Sequence, residues 1–318
     1  MSYLFERLKE IKAWDFEPVI WNACCTVLKS RDEKLSRNYL DNLLTMLDFT
    51  IYGLSEASAE SEEIASDPYL YHTLGVMLTY LTRSRRQFLN IIETTTGYRP
   101  KLVERAYKAF RECVANAEGM ADILAATKLC YRLLVTAARA GIFYSNNQRL
   151  REVLLTLTAT EYDFNTYMDD FIGKYRRDPD VVEPSNYLAG VVLELCMERF
   201  PKEAVEETPP SRWVEACDVK ILEELGKRLV IVDGWLELLI VRTMGRTFAV
   251  ENMCTHEGGF LSDGFVETYS VSCIDHLAKF DVRTGRVLTH PHHGRARPLA
   301  TFPTKIEDGR VLVGLYTS

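Results

Sequence analysis

Histidine is scarce in this chain of 318 residues: there are six, and His72 is the only one before His256. A mononuclear iron held by two histidines and a carboxylate therefore cannot be built from the first 255 residues. No Glu-X-X-His pair occurs, so a carboxylate-bridged di-iron bundle is excluded as well. No uncharged apolar run approaches the ~20 residues that cross a bilayer, and "MSYLFERLKEIK" lacks the apolar core of a secretory signal. Neither a membrane span nor a leader is expected. Basic residues are not in excess: 38 Lys and Arg stand against 45 Asp and Glu, a net charge of -7, which argues against a nucleic-acid partner. The eight cysteines are irregularly spaced and lie mostly on helical apolar faces, so they read as reduced thiols in the cytoplasm rather than a disulfide frame. Phosphate-binding loops, dinucleotide glycine motifs and nucleophile motifs are also absent, and no stand-alone enzyme is expected.

What is present falls into two textures. From Leu4 to about Phe200 the apolar residues recur at helical steps. Leu40, Leu43, Leu44, Leu47 and Ile51 form one stripe, and Leu74, Met77, Leu78, Leu81, Phe88 and Ile92 form another beyond the acidic, serine-rich "SEASAESEEIASDP". A third helix is expected just past Pro100. Further helices are expected over 122–140, 147–158, 160–176 and 184–200, with Gly141 as a C-terminal stop. The arginines of "RSRRQF" (Arg83, Arg85, Arg86) read as a solvated helix face, His72 as a surface or capping residue, and Cys24 and Cys25 as core packing. The segment "RFPKEAVEETPPSRW" breaks the pattern with charges and two prolines. Beyond Trp213, Val, Ile, Leu and aromatics are cut by Asp233-Gly234, Gly245, Thr284-Gly285 and Asp308-Gly309, the chemistry of hairpins. The expected architecture is multidomain: an all-α domain over 1–205, a linker over 206–212 and an all-β domain over 213–318.

The chemistry sits in "CTHEGGFLSDGFVETYSVSCIDH". Two pairs, Cys254-Thr-His256 and Cys273-Ile-Asp-His276, stand sixteen residues apart. A structural zinc site also takes two cysteines and two histidines, so the inventory alone does not decide. The grouping is more telling: each loop supplies one thiolate and one imidazole in the same order. That suits a binuclear iron-sulfur cluster in which each loop reaches across both metals, the Rieske arrangement. Neutral imidazole in place of thiolate removes negative charge, so adding an electron costs less.

Residues 213–316 resemble a Rieske-type ferredoxin of the bacterial aromatic-ring dioxygenase systems. The resemblance is carried by "RTMGRTFAVENMCTHEGGFLSDG", "CIDHLAKFDVRTGRVLTHP" and "RPLATFPTKIEDGRVLV". It implies an all-β Rieske domain with a [2Fe-2S] cluster, one iron held by Cys254 and Cys273 and the other by His256 and His276. It also implies that "THPHHGRARP", with His290, His292 and His293, forms a third loop over the cluster. The high-potential Rieske proteins of respiratory and photosynthetic complexes differ: they carry an extra cysteine in each loop and a Gly-Ser pair after the last histidine. Here Glu257, Gly258 and Gly259 follow His256, Ile274 and Asp275 precede His276, and Leu277-Ala278 replaces Gly-Ser. Fewer hydrogen bonds to sulfur, together with the Asp275 charge, imply a low potential.

The expected function is single-electron relay to or from a redox partner protein, a reductase or an oxygenase-like acceptor, recruited by the helical domain. That domain is also a possible site of homo-oligomer formation. Two alternatives stay open at this level: a redox- or oxygen-sensing regulator, and an oxidoreductase whose active site lies in the helical domain and is fed by the cluster.

Overall fold

The computed structural model describes residues 16–59, 66–115, 117, 120–161, 163–165, 167–168 and 208–316. The chain divides into two compact units, Met1–Thr208 and Pro209–Ser318.

In the first unit, helices run over Phe16–Ser30 (α1), Glu33–Ala59 (α2), Pro68–Thr96 (α3), Glu104–Ala115 (α4), Met120–Tyr144 (α5) and Gln148–Thr158 (α6). Their ends follow from local chemistry. Asp67 caps α3 by accepting from the Tyr69 and Leu70 amides, Pro68 takes the first turn, and Gly97 closes the helix with a left-handed φ of 65°. The Asn147 side chain accepts from the Leu150 amide at 3.0 Å and starts α6. The expected helix over 160–176 is described only in part of its first turns, and the one over 184–200 lies outside the described residues.

Helices α2 and α5 pack antiparallel at the centre. Tyr39 donates to the Ala137 carbonyl at 2.9 Å, and Gly53 faces Thr127 two turns from the other end. Leu43, Leu47 and Phe49 are buried on α2, and the Phe49 ring stacks on Phe110 of α4 with centroids 4.6 Å apart. Asp41, also buried, accepts from the Tyr98 hydroxyl at 2.6 Å and the Lys101 amide at 2.8 Å, which anchors the α3–α4 connection. Gly141 does not stop α5; the helix continues to Tyr144. A Cβ there would lie 2.3 Å from the Tyr39 hydroxyl and 2.4 Å from Leu154. This glycine serves a close helix approach, and its lack of a side chain is what the neighbouring helices require.

The second unit is all β. Its strands are Arg212–Asp218 (β1), Lys227–Val232 (β2), Leu236–Thr243 (β3), Arg246–Glu251 (β4), Phe265–Glu267 (β5), Ser270–Ser272 (β6), Lys279–Asp281 (β7), Val287–Thr289 (β8), Thr301–Phe302 (β9), Thr304–Glu307 (β10) and Arg310–Leu315 (β11). They form three antiparallel sheets in the orders β1-β11-β10, β2-β3-β4-β9 and β5-β6-β7-β8. Met244-Gly245 and Asp308-Gly309 have positive φ at both residues, the two-residue turn that matches strand twist. On β3 the burial pattern is nearly continuous, so this strand is covered on both faces. Leu239, Val241, Val250, Leu261, Val271 and Phe280 share one core with Cys254 and Cys273.

Asp281 anchors the turn after β7. It accepts from Arg283 at 3.0 and 2.6 Å and from the Arg283 amide at 2.8 Å, and the guanidinium lies over the Tyr269 ring. The guanidinium, set against partial burial, holds the Asp281 carboxyl below its usual range. A depressed carboxylate stabilises the fold above its unfolded value near 3.8 and loses that contribution as pH falls through the folded value. Asp281→Asn is therefore expected to lower stability at neutral pH and to flatten the acid limb relative to the parent. Urea midpoints measured from pH 7 down to pH 3 check this, and parallel limbs would contradict it.

Candidate metal centre

Two loops carry the sequence-predicted ligands, one following β4 and the other joining β6 to β7. They share one backbone design. The Cys254 amide donates to the Gly259 carbonyl at 2.7 Å, and the Gly258 amide returns to the Cys254 carbonyl at 2.9 Å. In the second loop the Cys273 amide donates to Ala278 at 2.9 Å, and the Leu277 amide returns to Cys273 at 3.2 Å. The fourth residue after each cysteine, Gly258 or Leu277, has positive φ. Each loop thus curls around its cysteine and turns the sulfur into the core, while of the two histidines only His276 reaches the rim. Leu277 is half-exposed, so it holds this conformation without burial as compensation.

The folding brings like ligands together. Cys254 and Cys273 are 3% and 1% exposed, and their thiols lie side by side. Burial pushes the Cys254 thiol up to about 12; the His256 backbone amide pulls it down, and Cys273 pushes it further up. The Cys254 thiol stays protonated unless a cation compensates its charge, which a bound metal does. The His256 and His276 rings meet edge to face with centroids 4.8 Å apart. The His256 side chain is 6% exposed, and its Nδ1 is buried with no hydrogen-bond partner. A buried ring nitrogen without a partner is costly, and a metal bond would satisfy it. Burial holds this imidazole below its usual pKa, against the opposing charge of Glu257. His276 is 40% exposed and reaches the rim.

A third loop, between β8 and β9, closes over the first. Thr255 donates to the Arg297 carbonyl at 2.5 Å and accepts from the Arg297 amide at 2.9 Å, with both residues buried. Gly294 lies over His256, where a Cβ would approach Nε2 to 3.1 Å. His290, His292 and His293 are exposed on this loop. Of these, His293 meets the site: its backbone partners the His256 ring, and its imidazole lies close enough to act on that ring electrostatically.

Asp275 sits in the second loop with its carboxylate 3.7 Å from the Cys273 sulfur. Gly259 of the first loop packs on the same spot, where a Cβ would lie 3.1 Å from that sulfur. Glu257 has one carboxylate oxygen 3.5 Å from His256 Nε2 and the other 3.5 Å from His276 Nε2. Thr255 and Glu257 carry no sequence signal beyond lying beside a candidate ligand, and their roles emerge only from loop geometry. Among the described residues, His256, Glu257 and His276 also form a group able to hold a single cation, but the cysteines stand apart from it. The four predicted ligands thus present a sulfur pair and a nitrogen pair. That donor set fits two metals of different character better than one tetrahedral ion.

Comparison with known proteins agrees with this chemistry. Residues 212–303 match the Rieske [2Fe-2S] domain family, and the helical region has no family match. The ferredoxin component of the naphthalene 1,2-dioxygenase system of Pseudomonas aeruginosa is 36% identical over 104 residues, 33% of this chain and 96% of that protein. The ferredoxin component of biphenyl 2,3-dioxygenase of Rhodococcus jostii is 38% identical over 90 residues, 28% of this chain and 81% of that protein. Among solved structures, the Sphingomonas yanoikuyae B1 ferredoxin is 27% identical, with a TM-score of 0.30, over 32% of this chain and 98% of its own. The domain implies a Rieske-type [2Fe-2S] cluster and is homologous to electron-transfer ferredoxins of dioxygenase systems. Through its C-terminal domain, the chain belongs to the Rieske [2Fe-2S] family.

Proposed function

We propose that this protein is an electron-transfer component of low potential, working with a redox partner that its helical domain, 1–205, recruits. The observation that carries the reading is the sorting of ligands, thiol beside thiol and imidazole beside imidazole, with a buried His256 Nδ1 left for a metal. Cys254 and Cys273 would hold one iron, and His256 and His276 the other. When bound, the cluster supplies one-electron chemistry. The residues around it bury the sulfur side, aim the His256 amide at the Cys254 sulfur and leave the His276 ring at the surface as the route for electrons.

Partners of the kind named for its relatives, dioxygenase systems, fit this role, and the protein would be a component of such a system rather than an enzyme alone. A reductase or an oxygenase-like acceptor is the class of partner proposed. Among the described residues no helix is long and apolar enough to cross a membrane, which is compatible with work in the cytoplasm.

The low potential follows from what surrounds the sulfurs. Neither loop has a second cysteine, Leu277-Ala278 supplies no hydroxyl after His276, and Asp275 places a carboxylate beside Cys273. Protein-film voltammetry is expected to give a value between about -200 and 0 mV, around the lower edge of the range for such centres. A value above about +200 mV, well inside the high-potential part of that range, would contradict the reading. Asp275→Asn removes the charge nearest the sulfur while keeping its shape, and its potential is expected to rise above the parent's. An unchanged potential would show that this carboxylate is turned away from the cluster in the loaded protein.

A further inference from the structure

Glu257 stands in the first cluster loop, next in sequence to His256, and the electron-relay reading gives it no task. Its two carboxylate oxygens divide between the two rings: Oε1 lies 3.5 Å from Nε2 of His256 and Oε2 lies 3.5 Å from Nε2 of His276. The rings stand at 84° to one another, so a single carboxylate reaches both outward nitrogens only at the notch between them. Those nitrogens come from two separate loops, and among the described residues no other side chain forms an ion pair with both. No lysine or arginine among the described residues pairs with Glu257, so its charge is directed at the imidazoles.

We propose that Glu257 is a positioning residue for the histidine side of the centre, a carboxylate brace that orients both rings and lowers the reduction potential. The proposal rests on the ligand assignment made above. If each ring gives Nδ1 to the metal, each Nε2 is left as a donor; the His293 backbone also partners the His256 ring, so Glu257 adds its charge beside that bond at His256 and completes a carboxylate–imidazole–metal arrangement at His276. At 3.5 Å the contacts are longer than good hydrogen bonds. The effect is therefore mainly that of a full negative charge shared between two rings. A negative charge beside the site that receives the electron disfavours the reduced form. The site is at the rim, with Glu257 and His276 each 40% exposed, so water moderates the effect without removing it. The brace would also set the two rings as one unit, with His256 buried and His276 carrying the exposed edge.

The test uses the full-length, cluster-loaded protein and the variants Glu257→Gln and Glu257→Asp. Potentials are read by protein-film voltammetry, and nitrogen couplings of the reduced centre by pulsed EPR. Glu257→Gln keeps size and loses charge. It is expected to shift the one-electron equilibrium towards reduction by roughly tenfold, about 59 mV, with the iron content unchanged. Glu257→Asp keeps the charge and is expected to stay much closer to the parent, with altered couplings to one or both rings as the shorter side chain gives up part of the brace. Loss of iron in the Gln variant, with full loading and near-parental potential in the Asp variant, would support the brace through the charge requirement. A loaded Gln variant at the parental potential, or an Asp variant shifted as far as Gln, would overturn it. Failure of the ligand assignment looks different: the parent itself would then show no coupling to two imidazole nitrogens.

Discussion

Cys273→Ser is expected to abolish the cluster, taking iron from about two atoms per chain to near zero, together with its visible absorption. The size of the effect follows from burial. Cys273 is 1% exposed in a core that also contains Cys254, Leu239 and Phe280, so no solvent-borne ligand can replace its sulfur. Serine leaves a far weaker metal ligand for iron-sulfur chemistry, and the neighbouring Cys254 thiol, pushed up by burial, would keep its proton. Because metal binding and folding are linked, the C-terminal unit should also lose stability, on the order of several kcal/mol. The control is Cys217→Ser. Cys217 is also buried, but it lies on β1 outside both cluster loops, and its replacement should leave iron content intact. Equal iron in the Cys273 variant and the parent, measured by elemental analysis, would remove this residue from the ligand set.

The second large effect belongs to the helical unit. Arg132 of α5 donates to Glu17 of α1 through Nε at 2.8 Å and a terminal nitrogen at 3.3 Å, and the two side chains are 9% and 4% exposed. Such a pair adds little net stability, since desolvating both charges offsets their attraction. Breaking it is another matter. Arg132→Met leaves the Glu17 carboxylate in the interior without that guanidinium and should cost about 3–5 kcal/mol. Replacing both residues by methionine should recover most of the loss, because the two charges of the pair are then removed together. Chemical denaturation followed by helical circular dichroism checks the cycle. A double variant as unstable as Arg132→Met would show that the pair matters through other contacts.

These two cases mark what the sequence reveals and what it hides. The cluster loops were legible because ligand type and spacing are local: Cys-X-His and Cys-X-X-His can be read without knowing any partner. The helical stripe of Leu40, Leu43, Leu44 and Leu47 and the hairpin turn at Asp308-Gly309 were legible for the same reason, and the structure has both. The Glu17–Arg132 pair joins residues 115 positions apart, and no periodicity announces it. Gly141 misleads because a glycine after Arg139 and Ala140 carries the local mark of a helix end. Its actual reason, the approach of Tyr39 and Leu154, is visible only in three dimensions. In the sequence Glu257 is only a position where no disulfide cysteine stands. Its reach to two imidazoles depends on how two separate loops face each other. The sorting of sulfur from nitrogen likewise needed the fold, since the sequence alternates them.

Metal analysis with low-temperature EPR, on protein purified anaerobically and then reduced, tests the central claim most directly. The account predicts two irons and two acid-labile sulfides per chain, and a rhombic signal coupled to two imidazole nitrogens. One zinc per chain, with no EPR signal after reduction, would contradict it.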